Sequence, residues 1–125
     1  DQWYTGELIK AGFYNSVITG RREAEINFES NNGEQLNVEF VNCLIQNTGL
    51  FTYPCENCIF NIDPLFFSWS EYDFRPDTLS PLINSGSYYY ADMLPYDLRG
   101  NSRLEDEGPD MGAYEKQIGE NAETK

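Results

Sequence analysis

The chain has 125 residues, and its 21 acidic and 8 basic side chains give a formal net charge of −13. This charge repels nucleic acid and anionic lipid surfaces. The absence of histidine excludes a Ser-His-Asp or Cys-His catalytic site within the chain and removes the commonest metal ligand. The length predicts one domain or a piece of one, and the many Asn, Tyr, Phe and Gly residues favour strands and turns.

The N-terminal sequence DQWYTGELIKAGFYNSVITG already reads as the middle of a structured segment. The sequence shows no signal peptide, no apolar stretch of membrane-spanning length and no initiator Met. We therefore interpret the chain as a fragment or a trimmed protein, so that the missing signal sequence does not argue for the cytoplasm.

A short repeat occupies the first half of the chain. Three segments align without gaps: FYNSVITG at 13–20, FVNCLIQN at 40–47 and CENCIFNI at 55–62. A fixed strand motif at unequal spacing is typical of a solenoid whose turns differ in length. Because the motif is short, three strands of an ordinary antiparallel sheet are the alternative interpretation.

The repeat places two sets of side chains on opposite faces of its strands. Small residues occupy equivalent positions on one face: Ser16, Cys43 and Cys58. We expect them to stack in the lumen of a parallel β-helix, which favours packing over metal or redox chemistry at Cys55-x-x-Cys58. Apolar residues occupy the other face: Val17, Leu44 and Ile59. That face also needs burial, and the C-terminal segment is the expected cover.

Asparagine recurs at the same position of each repeat, as Asn15, Asn42 and Asn57. Amide side chains in equivalent positions of a stack can bond to one another. We therefore predict a structural asparagine ladder.

Four motifs in the second half occur in an order that resembles a known family. They read CIFNIDPLF, YDFRPDTLSPLINSG, DLRGNSR and GPDMGAYE. Over residues 40–115 the chain resembles the C-terminal end of the right-handed parallel β-helix repeat proteins that are common among secreted and surface proteins of Bacteroidetes-type bacteria. It departs mildly from the family's motifs at five positions: Phe74, Leu82, Asn84, Ser85 and Ser102.

The resemblance implies an all-β fold, namely the last coils of a right-handed parallel β-helix followed by an irregular C-terminal capping segment. We assign residues 1–62 to the coils, 63–115 to the last coil and the capping segment, and 116–125 to a polar tail outside the fold. Four apolar side chains are the expected anchors of the capping segment: Leu98, Leu104, Met111 and Tyr114. The resemblance also implies an exported protein, extracellular or at the cell surface.

Exposed aromatic side chains are the candidate ligand-binding residues, because sugar rings stack on aromatic faces. The candidates are Trp69, Tyr72, Tyr88, Tyr89 and Tyr90. Aromatic residues are more often core, but three consecutive tyrosines cannot all point inward. A polysaccharide or surface glycan is the expected partner, and no cofactor or metal is predicted.

Acidic residues are abundant enough for carboxylate pairs to arise by chance. Three of them lie in the family motifs: Asp97, Asp110 and Glu115. We expect these to accept hydrogen bonds from backbone N–H groups in turns rather than to catalyse a reaction.

Two functional interpretations follow. The first is a non-catalytic β-helix fragment with a structural role and a glycan contact. The second is the C-terminal portion of a polysaccharide lyase or glycoside hydrolase whose active site lies in coils absent from this chain. A groove that gathers carboxylates with a basic residue would favour the second interpretation. The basic candidates are Arg21, Arg22, Arg75, Arg99 and Arg103; the last three belong to motif or turn positions, which argues against such a groove.

Overall fold

A computed structural model describes residues 6–30 and 36–120. Strands predominate, and helix within these ranges is limited to one α-helical turn and one 3-10 turn, so the all-β prediction is confirmed. The elements in chain order are β1 (Leu8–Tyr14), β2 (Val17–Ile18), β3 (Leu36–Val41), β4 (Leu44–Ile45), β5 (Cys55–Glu56), β6 (Ile59–Phe60), β7 (Phe66–Ser68), the 3-10 turn Trp69–Glu71, β8 (Asp73–Pro76) and α1 (Tyr88–Ala91).

The first six strands form three repeat units that stack in parallel. Each unit contributes one strand to the sheet β1-β3-β5 and one to the sheet β2-β4-β6. Val17 pairs with Leu44, which pairs with Ile59 in the next unit. The amide of Leu44 donates to the carbonyl of Ser16 at 2.9 Å, and that of Ile59 to the carbonyl of Cys43 at 2.8 Å. The antiparallel alternative for the repeats is therefore wrong; only β7 and β8 pair antiparallel among the named strands.

Each repeat bends at its asparagine instead of continuing as one strand. Asn15, Asn42 and Asn57 have φ of 49°, 52° and 53°, in the left-handed region that asparagine tolerates better than most residues. The predicted asparagine ladder is wrong, because the side chains of Asn15 and Asn42 turn to another segment. Asn15 Nδ2 donates to the Ser87 carbonyl at 2.9 Å, and Asn42 Nδ2 to the Ser85 carbonyl at 3.0 Å. The repeated asparagine thus makes a corner and offers its amide to the chain outside.

The two faces of the repeat are buried in two separate apolar clusters. The inner cluster has four buried members: Val38, Phe40, Cys43 and Ile45. The outer cluster consists of Leu44, Leu82 and Met111, with Val17 and Ile59 packed against it. The C-terminal segment therefore covers the outer face, as the two-sided apolar pattern predicts.

The C-terminal segment runs along the side of the stack. Ser85 binds Asn42 of the second unit and Ser87 binds Asn15 of the first, so the segment runs from later units to earlier ones. The amide of Gly112 also donates to the Asn15 carbonyl at 2.7 Å. Gly86 lies between these contacts, where an added Cβ would approach the carbonyl oxygen of Pro109 to 2.9 Å. The close approach explains why residue 86 has no side chain.

The predicted anchors of this segment are only partly correct. Met111 is 2% exposed, whereas Leu98 is 75% exposed and Leu104 is 38% exposed. Tyr114 is half-buried and lies under the Arg99 guanidinium at 5.8 Å. Leu98 and Leu104 do not anchor the segment, because buried polar groups hold that part of the chain.

Residues 116–120 contact the body of the protein, in contrast to the prediction that 116–125 lie outside the fold. The amide of Lys116 donates to Asp110 Oδ2, and Glu120 forms ion pairs with both Arg75 and Arg99. The carboxylate of Glu120 is only 15% exposed, and these two arginines lower its pKa. Residues 121–125 lie outside the described ranges.

Replacing Glu120 with glutamine should lower the free energy of unfolding by about 1–2 kcal/mol, because two arginines lose a charged acceptor. Urea denaturation at pH 7 measures the change. The matched control is Glu107→Gln, at an exposed position, which should change stability by less than about 0.5 kcal/mol. Equal stability of the two variants would show that the Glu120 contacts contribute nothing.

Candidate functional site

A cleft of about 620 Å³ lies beside the ends of β2 and β4. Two stretches line it: residues 19–23 together with Gln46 and Thr48, and residues 61–66 together with Trp69 and Phe74. We call it the Trp69 cleft. Its volume is that of a typical small-molecule site.

The loop at residues 19–22 is fixed by one side chain from β4's C-terminal end. Gln46 Oε1 accepts from Thr19 Oγ1 at 2.9 Å and from the amide of Gly20 at 3.3 Å. Gln46 Nε2 donates to the carbonyl of Arg22. The residue that follows the loop is also held, because the amide of Thr48 donates to the carbonyl of Glu23. The polar rim of the cleft is therefore held in place without a ligand.

Trp69 is presented to solvent by the turn between β7 and β8. The amide of Tyr72 donates the last hydrogen bond of the 3-10 turn to the carbonyl of Trp69 at 3.1 Å, and the left-handed φ of Tyr72, 60°, ends the turn there. Trp69 is 58% exposed, and the guanidinium of Arg21 lies 5.7 Å from its ring. An exposed indole beside hydrogen-bonding groups can bind a flat apolar face and orient its polar edge.

The arginines of the chain divide into two groups. Three are ion-paired with carboxylates: Arg75, Arg99 and Arg103. Within residues 6–30 and 36–120, the side chains of Arg21 and Arg22 form no ion pair, and both are exposed at the cleft. The cleft thus holds the two arginines that have no carboxylate partner among the described residues.

Carboxylates also line the cleft, at Glu23 and Asp63. Both residues are exposed, and Asp63 Oδ1 accepts the amide of Leu65 at 2.9 Å. The motif positions of Arg75, Arg99 and Arg103 argued against a groove that gathers carboxylates with basic residues, but the Trp69 cleft is such a groove. Its arginines come from the first half of the chain.

The predicted aromatic residues lie in two places. Trp69 lines the cleft, and Tyr72, 81% exposed, contacts the cleft residue Phe74 with ring centroids 6.4 Å apart. The other three belong to α1 and do not line the cleft: Tyr88, Tyr89 and Tyr90.

The three tyrosines of α1 have their own contacts. Tyr90 stacks on Tyr14 at 3.9 Å, and the Tyr88 hydroxyl donates to the carbonyl of Asp106 at 2.6 Å. Tyr89 is 68% exposed and contacts Tyr90 edge-on. Tyr88 and Tyr90 therefore have structural contacts, which the clustering of tyrosines in sequence does not reveal.

The three motif carboxylates accept backbone N–H groups, as the sequence predicts. Asp97 Oδ1 accepts the amides of Arg99 and Asn101, and Oδ2 accepts that of Glu115. Burial acts to raise the pKa of Asp97, but the hydrogen bonds from Glu115, Asn101 and Arg99 together outweigh it and lower the pKa. Asp110 accepts the amides of Asn84 and Lys116. These bonds tie distant turns together.

Glu115 and Asp110 form a buried acidic pair next to Arg103. Glu115 is 2% exposed, its carboxylate lies 3.0 Å from Arg103 Nη1, and it accepts the amide of Asp110. Burial, followed by repulsion from Asp110, raises the pKa of Glu115 to about 7. Burial also raises the pKa of Asp110. One cation for two buried carboxylates favours uptake of a proton.

The cysteines are free thiols with different exposures. Cys43 is buried, Cys58 is half-buried against the same inner cluster, and Cys55 is exposed. Burial raises the pKa of Cys43 to about 11, which keeps it a thiol at neutral pH. Ser16, at the equivalent position, is half-buried and donates to the carbonyl of Tyr14. In the described part of the chain, His, Cys, Asp and Glu side chains do not gather into a group that could hold a metal ion.

No family model matches the chain, and neither a curated protein nor a solved structure is significantly similar to it. Among residues 6–30 and 36–120, the helices are too short and polar to cross a membrane.

Proposed function

We propose that this chain is a non-catalytic, glycan-contacting end of a right-handed parallel β-helix in an exported bacterial protein. The β-helix is supported by three in-register parallel units with like residues at equivalent positions. The capping role of the C-terminal segment is supported by the burial of Leu82 and Met111 against the outer face. Export and bacterial origin rest on the order of the four sequence motifs.

The glycan contact rests on one observation: Trp69 is exposed at the edge of a cleft whose polar loop is already fixed. Sugars combine a flat C–H face with a ring of hydroxyl groups. The indole offers the stacking surface, while Arg21, Arg22 and Asp63 offer donors and acceptors around it. A rigid site loses little side-chain freedom on binding.

Replacing Trp69 with alanine should weaken binding to the best ligand of a polysaccharide panel at least tenfold, because stacking on the ring is lost. Affinity electrophoresis in gels containing each polysaccharide, followed by calorimetry, measures the effect. The control is Tyr89→Ala, which removes an exposed aromatic residue outside the cleft. Equal loss in both variants, or in neither, contradicts the proposed site.

The enzyme alternative is favoured by the carboxylates Glu23 and Asp63 beside two arginines. Both carboxylates are exposed, however, and a general acid usually needs burial to hold its proton at neutral pH. We therefore place binding ahead of hydrolysis or lyase chemistry. Release of reducing ends or unsaturated sugars by this chain, lost in Asp63→Asn, would reverse that order.

A further inference from the structure

We infer that the glycan at the Trp69 cleft is anionic and that Arg21 and Arg22 bind its carboxylate or sulfate groups. This inference rests on the proposed glycan contact and specifies its ligand class. The observation that carries it is the contrast between these two arginines and the other three, which are all ion-paired.

The chain has 21 acidic and 8 basic residues, so each arginine has many possible carboxylate partners. Arg75, Arg99 and Arg103 each have a carboxylate partner within the protein. Arg21 and Arg22 are adjacent in sequence, exposed, and have no ion pair in the described ranges. A planar guanidinium binds carboxylate and sulfate oxygens with two parallel N–H bonds, which suits an external anion.

The backbone geometry keeps these arginines at the cleft. The amide of Arg22 donates to Glu25 Oε1, and its carbonyl accepts from Gln46 Nε2. The carboxylate of Glu25 is thus engaged with the backbone of the loop, and it forms no ion pair with a guanidinium in the part of the chain that the structure describes. Arg21 lies over Trp69, so that an anionic substituent next to a stacked sugar ring would lie within its reach.

The cleft also holds two carboxylates, which oppose the binding of an anionic ligand. Glu23 and Asp63 are exposed to water, and one Asp63 oxygen accepts the Leu65 amide. The net charge of −13 repels an anionic ligand at long range. If attraction by Arg21 and Arg22 dominates, added salt weakens binding of an anionic polymer. If repulsion by the net charge dominates, added salt strengthens it.

The test uses the whole chain and matched polymers that differ only in charge: dextran against carboxymethyl dextran, dextran against dextran sulfate, and methyl-esterified against free polygalacturonate. We expect the charged member of at least one pair to bind about tenfold more tightly at 50 mM salt. This preference should shrink as salt rises to 500 mM, since screening removes the local attraction. The carboxylated and sulfated arms distinguish the two anionic groups.

Arg21→Gln/Arg22→Gln should make the charged and the neutral member of a pair bind with equal affinity. Hydrogen bonds lost to sugar hydroxyl groups weaken both members alike, so the ratio of the two affinities reports the charge contacts. Lys10→Gln/Lys116→Gln removes the same charge at residues that do not line the cleft and should keep the preference. If the double arginine variant keeps the preference, or if the neutral members bind as tightly as the charged ones, the inference is overturned while the glycan contact stands. If Trp69→Ala leaves all binding unchanged, the proposed glycan contact itself fails.

Discussion

Met111→Ala is expected to lower the free energy of unfolding by about 2–5 kcal/mol, the usual cost of emptying a core position. Met111 is 2% exposed and belongs to the outer cluster with Leu44 and Leu82. Its amide also donates to the carbonyl of Leu82 at 3.0 Å. Truncation leaves a cavity between the repeat units and the segment that covers them, and urea denaturation at pH 7 measures the loss.

The matched control is the other methionine of the chain, Met93, which is 66% exposed. Met93→Ala should change stability by less than about 0.5 kcal/mol. Because the covering segment shields the sheet β2-β4-β6, Met111→Ala should also increase aggregation on heating. A stable, soluble Met111→Ala protein would show that the segment does not protect the repeat units.

Arg103→Met should cost about 3–5 kcal/mol at pH 8, because it leaves two buried carboxylates without their cation. Arg103 is 8% exposed, and the described ion pair of its guanidinium is with Glu115. Methionine retains most of the length of the side chain, so the main loss is electrostatic. Chemical denaturation across the pH range measures it.

The pH dependence follows from the raised pKa of Glu115. Its pKa is 4.5 in the unfolded chain and about 7 in the folded protein, so the folded state binds the proton more tightly. The stabilisation from this group is complete below about pH 4.5 and is lost as pH rises through about 7. Asp110, whose pKa is also raised, acts in the same direction. Wild-type stability should therefore decrease between pH 5 and pH 8.

The variants separate this cause from others. Arg103→Met should be destabilised less at pH 5 than at pH 8, since Glu115 is protonated at the lower pH. Arg103→Met/Glu115→Gln should recover part of the lost stability at pH 8 and show a weaker decrease with pH. An equal cost of Arg103→Met at both pH values would mean that the charge of Glu115 does not change between them.

The cleft and the C-terminal segment are held in place in the same way. In both, an amide side chain at the end of a repeat strand forms hydrogen bonds with a segment distant in sequence. Asn15 and Asn42 bind the covering segment at Ser87 and Ser85. Gln46 binds the loop at residues 19–22. A short repeat can thus position long irregular segments, which bring their own side chains to the surface.

The sequence by itself determined the repeat and its two faces. A period of two along a strand separates Ser16, Cys43 and Cys58 from the apolar residues that follow them, and a two-sided apolar strand requires cover on both sides. The motif carboxylates were predictable as backbone acceptors because acidic residues in glycine-containing turns commonly have that role. These features depend on local periodicity and local chemistry.

The bend at each asparagine was not predictable from the alternation of side chains. Asparagine suits both an extended stack and a left-handed corner, and the choice depends on what lies outside the corner. At Asn15 that is the carbonyl of Ser87, 72 residues away in sequence. Leu98 is exposed because the hydrogen bonds of the buried Asp97 hold the turn in place. The hydrophobicity of Leu98 gives no indication of this.

The cleft was decided by the tertiary structure alone. Arg21 and Trp69 are 48 positions apart, in segments with no shared motif, and become neighbours because the chain returns to the end of β2 after completing the third unit. Whether an arginine is free or ion-paired also depends on which carboxylates the fold brings to it. The sequence pattern predicts which face of a strand is buried, because side chains two residues apart lie on the same face. The pairing of distant polar groups is set by contacts between segments, which only the folded chain defines.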